Sequence, residues 1–111
     1  MWVLLNTGPV SVAAHRDDKE MLLVWARTRN HLEAAVGGDY RDKIVEMSDA
    51  DYKFCVEIDR ETWATRLGEI TKAINYDNFK NSVDNPELSV VYHDVWGIFA
   101  RKYGAYGKTG H

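Results

Sequence analysis

Cysteine and proline are scarce in this chain of 111 residues, which contains only Cys55, Pro9 and Pro86 of those types. A lone cysteine excludes an intramolecular disulfide, and with it the small secreted scaffolds that disulfides hold together. Cys55 is expected to be a small buried or half-buried strand residue. No histidine has a partner at zinc-binding spacing among His15, His31, His93 and His111, so no metal site is expected. Glycine-rich phosphate loops are missing as well. Gly37-Gly38 follows a helical pattern and does not open one, which is the wrong geometry for an anion cradle. No cofactor is expected.

Long apolar runs are also absent. None approaches the ~20 residues that cross a bilayer, and Met1–Leu5 is too short for a signal peptide and lacks a basic flank. A cytoplasmic protein without membrane contact is the expectation. Excess positive charge is missing too. The net charge is −3, which speaks against generic DNA coating and is too weak for a nucleic-acid mimic.

What remains is ordinary globular material, 45% hydrophobic and 28% charged. Four Trp, six Tyr and three Phe can each bury roughly 150–250 Å². A single α+β domain over residues 1–103 and a flexible tail over 104–111 are expected. Trp2–Leu5 reads as a strand punctuated by Thr7-Gly8-Pro9, and Val10–Ala14 resumes it up to the charged turn Arg16–Lys19. In the next strand, Met21–Thr28, Leu22, Val24 and Ala26 occupy one face while Leu23, Trp25 and Arg27 occupy the other. Large apolar groups on both faces place it inside the sheet.

Asn30 is the expected cap of a first helix, with Glu33 in capping-box position, an apolar stripe at Leu32, Ala35 and Val36, and Gly37 as terminator. A strand is expected at Lys43–Met47. Tyr52–Ile58 follows with clean alternation: Tyr52, Phe54, Val56 and Ile58 on one face, Lys53, Cys55 and Glu57 on the other. Asp59 caps a second helix whose stripe is Trp63, Leu67, Ile70 and Ile74. Asn85-Pro86 opens the last helix, with Leu88, Val91, Tyr92, Val95, Trp96, Phe99 and Tyr103 at helical spacing. The expected architecture is an antiparallel sheet of about four strands. It comprises two strand–strand–helix units with helices on one face, plus an added C-terminal helix.

Three places could carry function. Trp25 with Arg27 and Arg29 could form a basic-aromatic platform for single-stranded nucleic acid, although Trp25 equally suits a core. His93-Asp94 looks like half of a catalytic pair, but adjacent helical residues point about 100° apart. The segment Tyr76-Asp77-Asn78-Phe79-Lys80-Asn81 mixes rings, amides and charge, the composition of partner-binding surfaces. Caps and ring packing would account for it structurally.

The segments Leu22–Arg27, Asp51–Phe54, Ile74–Ser82 and His93–Trp96 resemble, in the same order, those of a family of short bacterial and phage-borne proteins. The Tyr76–Lys80 stretch is the most specific part, and the likeness runs from about His15 to Trp96. The resemblance implies a small mobile-element-associated domain and brings no catalytic residue with it. The leading expectation is a non-enzymatic protein-binding module acting on a host or phage protein complex, in its most specific form an anti-CRISPR-like inhibitor of a host defence complex. The rivals are a nucleic-acid-binding accessory domain and a small enzyme using His93 or Asp77 as acid or base. Homo-oligomerisation is left open.

Overall fold

Alternation along the strands decides the architecture. The structure, a computed structural model, describes residues 1–104, so the expected flexible tail lies, apart from Gly104, outside the described residues. The chain forms two compact units, one ending at Ile74 and the other starting at Asn75.

The first unit contains strands β1 (Trp2–Leu5), β2 (Gly8–Ala14) and β3 (Met21–Ala26), helix α1 (Arg29–Val36), a 3₁₀ stretch at Gly38–Lys43, strands β4 (Val45–Glu46) and β5 (Phe54–Asp59), and helix α2 (Arg60–Lys72). The strands make one antiparallel sheet in the order β1-β2-β3-β5-β4. It has five strands where about four were expected. Three strands precede α1 and two precede α2, so the two halves do not share one strand–strand–helix plan. The 3₁₀ stretch takes Lys43 from the strand expected at Lys43–Met47, and β4 keeps only Val45 and Glu46.

Register does the rest. Val12, Val24 and Val56 stand side by side across β2, β3 and β5, with Leu22 beside Ile58 one step along. These residues, with Val10 and Ala26, are buried against Leu32, Ala35 and Val36 of α1 and Trp63 of α2. Both helices of this unit therefore cover the same face. Interior branched side chains of this kind stabilise by about 1.5–3 kcal/mol each.

The helix ends follow local chemistry. Thr28, not Asn30, caps α1: its backbone is extended and its hydroxyl accepts from the His31 N–H at 3.2 Å. The chain turns directly out of β3, so Asn30 already lies within the helix. Arg66 of α2 donates to the Ala34 and Ala35 carbonyls at 2.9 and 3.0 Å, satisfying acceptors that the end of α1 leaves open. Asp59 caps α2 as expected, accepting from Glu61 and Thr62. Since α2 stops at Lys72, Ile74 falls outside the stripe and is exposed.

The turn between β1 and β2 sits at Asn6-Thr7, one step earlier than Thr7-Gly8-Pro9. Met1 and Val12 exchange both backbone bonds, and alternation makes Leu4 and Pro9 a pair without ladder bonds, the setting in which proline belongs. Gly8 is required by its neighbour. With φ of 144°, a Cβ there would come within 2.3 Å of the His31 ring.

In the second unit, Lys80–Ser82 forms a 3₁₀ turn and α3 spans Pro86–Tyr103. Asn85 caps α3 by accepting from the Leu88 N–H at 3.0 Å, with Pro86 in the first turn. Leu88 and Tyr92 are buried, but Val91, Phe99 and Tyr103 of the expected stripe are half or more exposed.

Two outcomes follow for urea unfolding. Gly8→Ala should destabilise by about 2–3 kcal/mol, from over-packing against His31 and a φ that alanine avoids. Burial pushes the His31 pKa below its ordinary 6.5, so the unfolded state takes up a proton that the folded ring resists. Stability should therefore fall as pH drops through about 6.5, and less so in His31→Leu.

Candidate binding face

The sheet residues that alternate with the core form the opposite face, which neither α1 nor α2 covers. Trp2, Ser11, Trp25, Cys55 and Val45 form one row across all five strands, and Ala13, Leu23 and Glu57 form the next. Met21 and Asp59 follow as a pair. Two peripheral segments raise this face into a concavity of about 860 Å³. The 3₁₀ stretch supplies Tyr40 and Lys43, and the turn after β2 supplies His15, Arg16 and Asp17. The floor is apolar, with Met21, Leu23 and Trp25 half-buried and Cys55 buried, while Val45 and Met47 at the β4 side are exposed.

The polar groups around this floor have defined partners. The His15 Nδ1 accepts from the backbone N–H groups of Asp17 and Asp18 at 3.1 and 3.2 Å, and Nε2 lies 3.1 Å from Glu57 Oε1. Two N–H donors at Nδ1 place the ring proton on Nε2, which donates to Glu57. Both nitrogens are thereby occupied, so His15 braces the turn against β5 and has no lone pair free for proton abstraction. Burial, with a smaller contribution from the Glu57 charge, pushes the Cys55 thiol up to about 11. It stays protonated at neutral pH and is a poor nucleophile. Lys43 Nζ rests 4.7 Å over the Tyr40 ring, a cation held at the rim.

Of the sequence-nominated platform, Trp25 lies on this face and the two arginines are engaged elsewhere. Arg27 donates to Asp51 Oδ1 at 2.9 Å and Oδ2 at 3.1 Å, and it lies 4.6 Å over the Tyr52 ring. The hydrogen bonds and charge of Arg27 hold the Asp51 carboxyl below its usual range. Arg29 donates to Glu33 and to the Arg41 carbonyl.

Residues Tyr76–Asn81 belong to the second unit, and their groups largely meet neighbours within it. The Tyr76 and Phe79 rings meet edge to face at 6.3 Å, and Phe79 lies 5.6 Å from Tyr92. Asn78 accepts from the Asn81 N–H, the Ser82 hydroxyl donates to the Phe79 carbonyl, and Lys80 Nζ sits 3.9 Å over Trp96. Asp77 is exposed. In α3 the exposed His93 donates from Nδ1 to the Ser89 carbonyl at 2.8 Å, one turn back, so its ring is turned along the helix. Neither His93 nor Asp77 lines the concavity.

Among the described residues, no group of three or more His, Cys, Asp and Glu could hold a metal ion, and no helix is long and apolar enough to cross a membrane. The chain matches no protein-family model, and comparison with curated proteins and with solved structures finds no significant match.

Sequence reasoning missed the floor of the concavity. Its signal was the double apolar face of β3, with Leu23 and Trp25 opposite Leu22 and Val24, which also describes a strand buried on both sides. Tyr40 and Met47 had no periodic signal, because they come from a 3₁₀ stretch and a strand end.

Cys55 offers a direct check. With its pKa near 11, its reaction with a disulfide reagent at pH 8 should run more than about a hundredfold slower than that of a free cysteine peptide of pKa ≈ 8.5. A peptide-like rate in folded protein would show an accessible, ionised thiol.

Proposed function

We propose that the chain is a non-enzymatic protein-binding module whose contact surface is the open face of the sheet. One observation carries this reading: a central apolar floor of Met21, Leu23 and Trp25, continued by Val45 and Met47, ringed by Arg16, Asp17, Lys43 and Glu57. An apolar centre with Trp and Met inside a charged rim is the anatomy of a protein interface. Rigidity adds to it, because the floor is strand backbone and the rim is tied down by the His15 hydrogen bonds. Little ordering entropy would then be lost on binding.

Acid–base or nucleophilic chemistry draws little support, since His15 has no free nitrogen and Cys55 stays protonated. A nucleic-acid role is weakened because the arginines nearest Trp25 are ion-paired. The partner we infer is a protein complex, of host or phage. The most specific version, an anti-CRISPR-like inhibitor carried by a mobile element, rests on the family resemblance alone.

Leu23→Lys and Met47→Lys test the face without disturbing the core. Leu23 lies opposite Glu57 in the ladder, so a lysine there meets an opposite charge and the fold should persist. The tagged wild-type chain should recover a stoichiometric protein partner from bacterial lysate. Each substitution should cut that recovery at least tenfold with an unchanged circular dichroism spectrum, whereas Asp77→Ala should leave it intact. Undiminished recovery by both lysine variants would remove the open face as the contact surface.

A further inference from the structure

Helix α3 carries a second surface of a different kind. Val91 and Ile98 are 50% and 56% exposed, and seven residues separate them, close to two helical turns, so they lie in one line along the helix. Four residues before Val91 stands Glu87, and four after Ile98 stands Lys102, both exposed. Neither takes part in an ion pair among the described residues. The line Glu87, Val91, Ile98, Lys102 thus has spacings of four, seven and four, the same in either direction. Half-exposed Phe99 and the partly buried Val95 flank it on one side, and exposed Asp94 and Val90 on the other.

A symmetric line has a particular consequence. Reversing the helix exchanges Val91 with Ile98 and Glu87 with Lys102. The geometry points to a second copy of this chain as the occupant, with the two α3 helices packed antiparallel about a two-fold axis near residues 94 and 95. In that arrangement Val91 meets Ile98 of the other copy twice, and Glu87 meets Lys102 twice. A parallel arrangement would instead oppose Glu87 to Glu87 and Lys102 to Lys102; Asp94 lies near its own copy in both arrangements, so the Glu87 and Lys102 charges select the antiparallel one. The interface is isologous, as two-fold dimers require. It is separate from the open sheet face and stands whether or not that face binds a protein.

Sedimentation velocity on the full chain at concentrations up to about 100 μM should show a species of twice the 12.7 kDa monomer mass. Glu87→Lys and Lys102→Glu should each weaken the dimer roughly tenfold, and the double variant Glu87→Lys/Lys102→Glu should restore it. Both sites are on the surface, so circular dichroism should show all three variants folded. The combined variant Val91→Cys/Ile98→Cys should form an interchain disulfide on mild oxidation. Val91→Cys alone should not, since its two copies would lie about 10 Å apart along the axis. A monomer at every concentration, a double charge reversal that fails to restore association, or crosslinking through Val91→Cys alone would each overturn the antiparallel dimer.

Discussion

Everything in the first unit depends on the register that sets Val12, Val24 and Val56 in one row. Strand side chains alternate strictly, so this row commits Leu22, Ile58 and Ala26 to the helix-covered face and Leu23, Trp25 and Cys55 to the other. A slip of one residue would move Trp25 inside and expose Val24, which the closely packed helices α1 and α2 could not accommodate. The helices reinforce the choice through Leu32 and Trp63, and Arg66 joins one helix to the end of the other. The open face is therefore a product of the same constraint that builds the core.

That constraint leaves a polar periphery with one structural task. His15 ties the β2–β3 turn to Glu57, and Arg60 donates to the Lys19 carbonyl of the same turn. These bonds hold the wall of the concavity while engaging the groups that could otherwise perform acid–base chemistry. The proposed recognition role draws on this apolar-centred surface and its tied-down wall. The second unit differs in character. The groups of Tyr76–Asn81 largely turn inward to the aromatic cluster around Phe79 and Tyr92, and outward display falls to the long helix α3.

Much of the fold was legible in the sequence. The alternation in β5, the Asp59 and Asn85-Pro86 caps and the central position of β3 all rest on signals within a few residues of chain. What was not legible depended on distant partners. Thr28 rather than Asn30 caps α1 because the turn out of β3 sets where the helix begins. Gly8 looked like turn punctuation, yet its lack of a side chain serves the ring of His31 across the unit. Leu23 and Trp25 were visible as a second apolar face of β3, but only the tertiary arrangement of α1 and α2 decides that this face is left open. Arg27 looked like half of an anion platform because its acidic partner Asp51 lies 24 residues away, whereas the pairing of Arg29 with Glu33, four residues on, was within reach of the sequence.

Hydroxyl-radical footprinting of the chain, alone and bound to its captured partner, tests the central claim most directly. The radical oxidises Met, Trp and Cys side chains, and this molecule places Met21, Trp25 and Met47 on the open face. Trp96 in the second unit serves as the internal reference. The account predicts strong protection of Met21, Trp25 and Met47 on binding, with the oxidation of Trp96 unchanged. Protection confined to Tyr76, Phe79 and Trp96, with Trp25 and Met47 oxidised as in the free chain, would contradict it.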